Sequence, residues 1–267
     1  GAGGPVCGDV RLRRAIETVT LVLAVLLAVA AGCRDMAALL ARGPAAVEYL
    51  PVVPAPGKLL CAGMNYADHM AEAGAALPGF PVFFLRTATS VTGHGQPLLA
   101  PAPPPRFDYE AQLAAVIGRR GRNIPAAAAL DHVAGYTLFN DGSIRDFQLE
   151  RGPQWTMGKN FDRTGALGPV LVTPDELPPG GRGLAIRARV NGRLLQDGNT
   201  ADMVFGVADL IAYVSTAMTL EPGDVIATGT PAGVGFARNP PVFLRAGDIC
   251  EIEVEGIGTL RNPVEAG

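Results

Sequence analysis

Glu110 and Gln112 stand two residues apart in Tyr109–Gly118, a stretch with the apolar character of a β-strand. Successive strand side chains point to opposite faces, so these two share one face. Asp141 directly follows a second candidate strand, Val133–Asn140. If the two strands are neighbours, three oxygen donors converge at one end of a sheet. Oxygen donors suit Mg²⁺ or Mn²⁺, with Ca²⁺ as an alternative, rather than zinc. A strand-end carboxylate is more often an ordinary surface group, and spacing does not separate the two readings.

Three other constellations can carry chemistry. Asp141, Arg145 and Gln148 fall at i, i+4 and i+7, which on a helix is one face. Arg145 there suits bidentate binding of a substrate carboxylate, and a local Asp–Arg helix pair is the plain alternative. His69 and Glu72 fall at i, i+3 on a short helix expected over Asn65–Ala73. A carboxylate that orients an imidazole raises its basicity and makes a water-activating dyad; an exposed helical pair is the plain alternative. Lys159 sits in the apolar context Met157-Gly158-Lys159-Asn160-Phe161, where it can stabilise an enolate or carboxylate, although a surface lysine is the default. The Gly-rich run Thr228–Gly235 follows a strand and can hold an anion on its amides. It lacks the Gly-Lys-Ser/Thr ending of a phosphate loop. His94 and His132 read as structural.

The elements that position these groups read as many short strands with few helices. Strands are expected at Leu59–Cys61, Pro81–Leu85, Leu184–Val190, Val225–Thr228 and Ile249–Val254, besides the two already named. Asn191-Gly192 marks a hairpin, and Asp202–Thr219 carries Val204, Val207, Ile211 and Val214 on one helical stripe. The pattern predicts an α/β (α+β) chain whose mixed sheet closes into a roll or barrel. Two Ala/Leu-rich helices, around residues 12–31 and 35–49, predict a small helical N-terminal subdomain over residues 1–57. A Pro/Gly linker signal then leads to a catalytic domain over 58–267. The formal net charge of -3 gives no basic surplus for nucleic acid. Cys7, Cys33, Cys61 and Cys250 show no zinc spacing, which fits free, mostly buried thiols in a reducing, cytoplasmic compartment. Arg11, Arg13 and Arg14 before the apolar run Thr18–Ala31 and Gly32-Cys33 resemble an export and lipidation signal. The run is too short to span a bilayer, and a buried helix is the preferred reading, with no membrane role.

Taken together, several blocks resemble the fumarylacetoacetate hydrolase family. They are Gly63–His69, Asp108-Tyr109-Glu110, Asn140-Asp141 through Arg145-Asp146, and Gly158–Asp162. Gly198-Asn199-Thr200, Leu220–Ile226, Thr228–Gly235 and Glu255–Gly258 continue the match, which runs from about Lys58 to Val264. The resemblance implies a mixed β-roll, a homodimer, and Mg²⁺ or Mn²⁺ on a Glu-x-Glu pair and a later Asp. Those positions fall on Glu110, Gln112 and Asp141. The second Glu is here Gln112, so one negative charge is missing and metal-dependent turnover comes into question. His69 and Glu72 match the family's dyad; Arg145, Gln148, Lys159 and Thr230 match its substrate-contacting positions.

The activity so implied is hydrolysis of a C–C bond in an acylpyruvate-like 2-oxo acid. The metal would hold the carboxylate and 2-oxo oxygens, His69 with Glu72 would activate water, and the leaving enolate would rest on metal and Lys159. Pyruvate and a carboxylic acid would result. The same site suits decarboxylation or isomerisation of a 2-oxo or 2-hydroxymuconate-type diacid. A third reading, prompted by Gln112, is a weakly metal-binding and catalytically poor homologue.

Overall fold

The strand β6 (Ala111–Ile117) is buried along its whole length, which explains why it reads as an almost unbroken apolar run. Its two faces serve different clusters. Ala111, Leu113, Ala115 and Ile117 join the main core, whereas Ala114 and Val116 join a smaller cluster with Leu59, Cys61, Phe139 and Leu167. Gln112 has the parity of the smaller cluster, and so does Glu110 just before the strand. The strand pairs antiparallel with β7 (Val133–Asn140), with Ala111 opposite Asn140. The expected neighbourhood of these two strands is therefore present.

A computed structural model describes residues 48–72, 74, 76–102 and 105–267. The N-terminal helices expected around 12–31 and 35–49, with Cys7 and Cys33, lie outside it except for Glu48 and Tyr49, which are irregular. Tyr49–Gly267 forms one compact unit. In chain order the remaining strands are β1 (Leu59–Gly63), β2 (Val82–Arg86), β3 (Val91–Thr92), β4 (Leu98–Ala100) and β5 (Phe107–Asp108). After β6 and β7 follow β8 (Ser143–Ile144), β9 (Gly165–Val172), β10 (Ala185–Val190), β11 (Arg193–Asn199), β12 (Val225–Ala227), β13 (Ile249–Val254) and β14 (Gly258–Ala266). A seven-stranded sheet runs β2-β1-β12-β6-β7-β9-β3 and a five-stranded sheet runs β11-β10-β13-β14-β4. Both are mixed: β1–β12, β3–β9 and β14–β4 are parallel pairs. The second sheet alternates buried and half-exposed residues along β10 and β13. Ile186, Ala188, Ile252 and Val254 thereby reach the main core, where they meet β6. This is the mixed β-roll expected from the sequence.

Local chemistry explains where expected boundaries moved. The helix foreseen over Asp202–Thr219 runs Val207–Ala217. Val204 and Phe205 are held outside it because their N–H groups bond to the backbone and side-chain oxygens of Asn65. The helix that would set Asp141, Arg145 and Gln148 on one face is only Arg145–Leu149, since Ser143 and Ile144 pair with β5. The hairpin at Asn191-Gly192 has φ of 52° and 77°, as a two-residue primed turn requires. Among the described residues no helix is long and apolar enough to cross a membrane.

Candidate active site

The β6–β7 ladder puts Glu110 opposite Asp141, whose N–H donates to the Glu110 carbonyl at 3.0 Å. Their carboxylates meet over a common pair of donors. Lys159 Nζ lies 3.0 Å from Glu110 Oε2 and 2.8 Å from Asp141 Oδ2. Gln112 Nε2 donates to the same two oxygens at 3.2 and 3.1 Å. The outer oxygens are also taken: Arg145 Nη1 is 2.8 Å from Glu110 Oε1, and Arg86 Nη1 is 2.7 Å from Asp141 Oδ1. Burial pushes Glu110 up, but Lys159 and Arg145 outweigh it and hold the carboxyl down at about 2. For Asp141 burial wins: its pKa is raised, with the Glu110 charge adding to the rise against Lys159 and Arg86.

Lys159 ends the short helix Thr156–Lys159 and is 1% exposed, so the surface-lysine reading fails. Gly158 lets that helix close on Gln148; a Cβ there would stand 2.5 Å from the Gln148 Cβ. The expected Asp141–Arg145 helix pair is not formed either, because Asp141 precedes the helix and turns to Arg86 and Lys159. Arg145 and Gln148 do meet, with Nη1 donating to Gln148 Oε1 at 2.6 Å. Asp108 fixes the guanidinium from behind, accepting from Arg145 Nε at 2.9 Å. The Phe236 ring covers its face, 4.5 Å from ring centroid to Cζ. Among the described residues Arg145 Nη2 has no hydrogen-bond partner, although the side chain is buried.

The opposite wall is the helix Ala67–Glu72. His69 Nδ1 is 3.5 Å from Glu72 Oε2, a loose contact, and Glu72 is anchored by the Gly233 N–H at 3.0 and 3.1 Å. Burial raises Glu72, yet the hydrogen bonds from His69 and Gly233 leave its pKa lowered. The Gly-rich loop thus binds the chain's own acceptors. Gly229 N–H meets Gln112 Oε1, Ala232 N–H meets Asp68, and the N–H groups of Gly235 and Phe236 meet Asp108. Thr230 Oγ1 accepts from Gln196 Nε2 at 2.8 Å, which leaves its own O–H free to donate.

Six of the nine residues singled out from the sequence, His69, Glu110, Arg145, Gln148, Lys159 and Thr230, line one cavity of about 140 Å³. Met64, Met70, Phe84, Leu149 and Trp155 supply its apolar part. Glu72 faces a neighbouring cleft with Arg193 and Arg238. Gln112 and Asp141 lie beneath the floor and do not line the cavity. Sequence reasoning assigned no role to Arg86, Asp108, Asn65 or Gln196. Asn65 and Asp108 stand within the blocks that carry the family resemblance; Arg86 and Gln196 work through folds of the chain that spacing does not reveal. His132 and His94 are structural: Nδ1 of the first meets the Arg119 carbonyl, and Nδ1 of the second accepts from the Arg261 N–H.

Residues 58–265 match the model of the fumarylacetoacetate hydrolase C-terminal domain. The chain belongs to the fumarylacetoacetate hydrolase family. Over 219 residues it is 46% identical to the mitochondrial oxaloacetate tautomerase fahd2 of Xenopus laevis, covering 82% of this chain and 68% of the relative. Fumarylacetoacetate hydrolase from Exiguobacterium antarcticum superposes with a TM-score of 0.73 at 43% identity, covering 82% of this chain and 77% of that one. The 5-carboxymethyl-2-hydroxymuconate delta-isomerase of Mycobacterium smegmatis does so at 0.72 and 40%, covering 82% of each. The chain is thus a fumarylacetoacetate hydrolase family enzyme, and its relatives carry the names of tautomerases and isomerases as well as hydrolases.

The family implies a divalent cation on the donors at positions 110, 112 and 141. They do not fit it. Among the described residues no three His, Cys, Asp or Glu side chains are grouped to hold a metal. The third expected ligand, Gln112, presents N–H groups rather than oxygen to the carboxylate pair.

Proposed function

We propose that this chain moves a proton within a small 2-oxo diacid of the oxaloacetate class, interconverting its keto and enol forms. The observation that carries the reading is Arg145 Nη2, a buried, charged donor without a partner among the described residues, on the same cavity as His69 and Lys159. A substrate carboxylate satisfies that donor. The adjacent 2-oxo oxygen then lies toward Lys159 Nζ, two of whose three N–H donors already bind Glu110 and Asp141, and toward the Thr230 hydroxyl. His69 takes a proton from C3, the C–H pair becomes the C2–C3 double bond, and negative charge gathers on the oxygen that Lys159 faces. The imidazolium returns the proton to that oxygen, and the enol leaves. Glu72 orients the ring through Nδ1 and leaves Nε2 for the transfer.

The similarity to oxaloacetate tautomerases supports this choice over hydrolysis, as does the shared cavity of a candidate base, His69, and a candidate enolate holder, Lys159. The test follows loss of the enol ultraviolet band of oxaloacetate against the uncatalysed rate. Folded protein that gives no acceleration, or His69→Ala protein that accelerates as well as the parent, sinks the proposal. The His69–Glu72 pair keeps hydrolysis as a second reading, because such a pair also suits water activation. Pyruvate release from acetylpyruvate would establish it, and pyruvate release from oxaloacetate would instead indicate decarboxylation.

A further inference from the structure

We infer that Gln112 converts the carboxylate pair into a cation-independent centre, in which fixed N–H donors and buried positive side chains stand where a divalent cation would. The first ground is orientation. An amide has one oxygen, and the Gly229 N–H claims it at 2.9 Å. That N–H belongs to a glycine at φ 91°, where a Cβ would stand 3.0 Å from the Asn65 Cβ and 3.1 Å from the Ala62 carbonyl, so the backbone here requires glycine. Flipping the amide to aim oxygen at an ion would set NH₂ against N–H and leave a buried donor unpaired. A glutamate at this position has an acceptor for Gly229 and a second oxygen for a metal. Glutamine has only the first.

The second ground is charge. The buried carboxylates Asp108, Glu110 and Asp141 are matched by the buried cations Arg86, Arg145 and Lys159. The cluster sums to zero, with every oxygen of Glu110 and Asp141 hydrogen-bonded or ion-paired to at least one nitrogen. A divalent cation would add two unmatched positive charges in a place where water cannot screen them. With glutamate at 112 the same cluster carries one net negative charge and would favour a cation. The third ground is access: Gln112 and Asp141 lie under the cavity floor, with Lys159 between them and the cavity.

The test is calorimetric titration of chelator-treated protein with MnCl₂ and MgCl₂, and it is independent of the reaction proposed above. The parent is expected to show no binding below millimolar, and Gln112→Glu to bind Mn²⁺ at least about 100-fold more tightly, since ligand charge sets affinity at oxygen sites. Melting gives a second readout. Mn²⁺ should leave the parent's Tm unchanged, whereas Gln112→Glu should melt lower in chelator and recover with Mn²⁺. Micromolar binding by the parent overturns the inference, and so does a folded Gln112→Glu that binds no better than the parent. Should that variant fold in neither condition, the parent's titration decides alone.

Discussion

Removing the Lys159 ammonium is the sharpest probe of the floor. Lys159→Met keeps the length and apolar packing of the stem, which runs beside the Phe84 ring, 4.9 Å from Nζ to its centroid. At an effective dielectric of about 20, each contact of Nζ with Glu110 and Asp141 carries on the order of 6 kcal/mol of gross attraction. Much of this is offset by the desolvation of the lysine, and breaking a buried pair costs about 3–5 kcal/mol net. The variant's least costly response is to protonate a carboxyl, and Asp141, already raised by burial, is the acceptor. A carboxyl whose folded pKa exceeds its unfolded value does not weaken the fold below the unfolded value. Its penalty grows as pH rises between the two and is complete above the folded pKa. Urea unfolding should therefore show the full loss at about pH 8 and a smaller one at about pH 5. Enol turnover should fall about 10²–10³-fold, as when one oxyanion donor is removed. A loss under about 1 kcal/mol at the higher pH, or an equal loss at both, would refute the paired-floor reasoning.

Three further outcomes follow from other parts of the site. His69→Ala should slow proton transfer by about 10²–10⁴-fold, while urea unfolding shifts by less than about 1 kcal/mol because the helix it stands on is largely exposed. Asp108→Asn leaves two of the four donors from Tyr109, Gly235, Phe236 and Arg145 facing an NH₂ group. It should cost about 2–4 kcal/mol in unfolding measurements and raise KM through a loosened Arg145. Glu110 is held down from 4.5 to about 2, so its contribution is present above pH 4.5 and disappears as pH falls toward 2. The slope of unfolding free energy against pH in that window should be steeper in the parent than in Glu110→Gln, and equal slopes would contradict the depressed pKa.

Much of this arrangement was legible in the sequence, and the reason is periodicity. Period-two alternation placed Glu110 and Gln112 on one face, and the strand ending at Asn140 placed Asp141 beside them. The i, i+3 relation of His69 and Glu72 survives because helix geometry is local. The helical spacing of Asp141 and Arg145 misled, since it assumed a helix where Ser143 and Ile144 form a strand pair with Phe107 and Asp108. No local pattern announces that pairing, nor the reach of Arg86 to Asp141 across 55 positions of chain. The departure at Gln112 was visible as a lost charge. What it does to the site was not, because that depends on Gly229, more than a hundred residues away in sequence and 2.9 Å away in space.

The buried floor also explains how such a departure can be tolerated. Six buried ionised groups are stable only if each finds an opposite charge and most of their hydrogen bonds are met. With glutamate at position 112 the balance fails by one negative charge, which would attract a cation. With glutamine the charges are matched by the chain itself, and the amide's two N–H groups replace the attraction an ion would supply to Glu110 and Asp141. The donors are then fixed by folding rather than by loading, so the positive edge that Lys159 and Arg145 present to the cavity is ready before substrate arrives. A lysine and a guanidinium polarise an enolate oxygen less than a divalent cation does, which suits removal of an already acidic proton beside a 2-oxo group better than attack of water on an unactivated carbonyl. On the proposed reading, the same residue that removes the metal's ligand therefore also tilts the chemistry toward proton transfer.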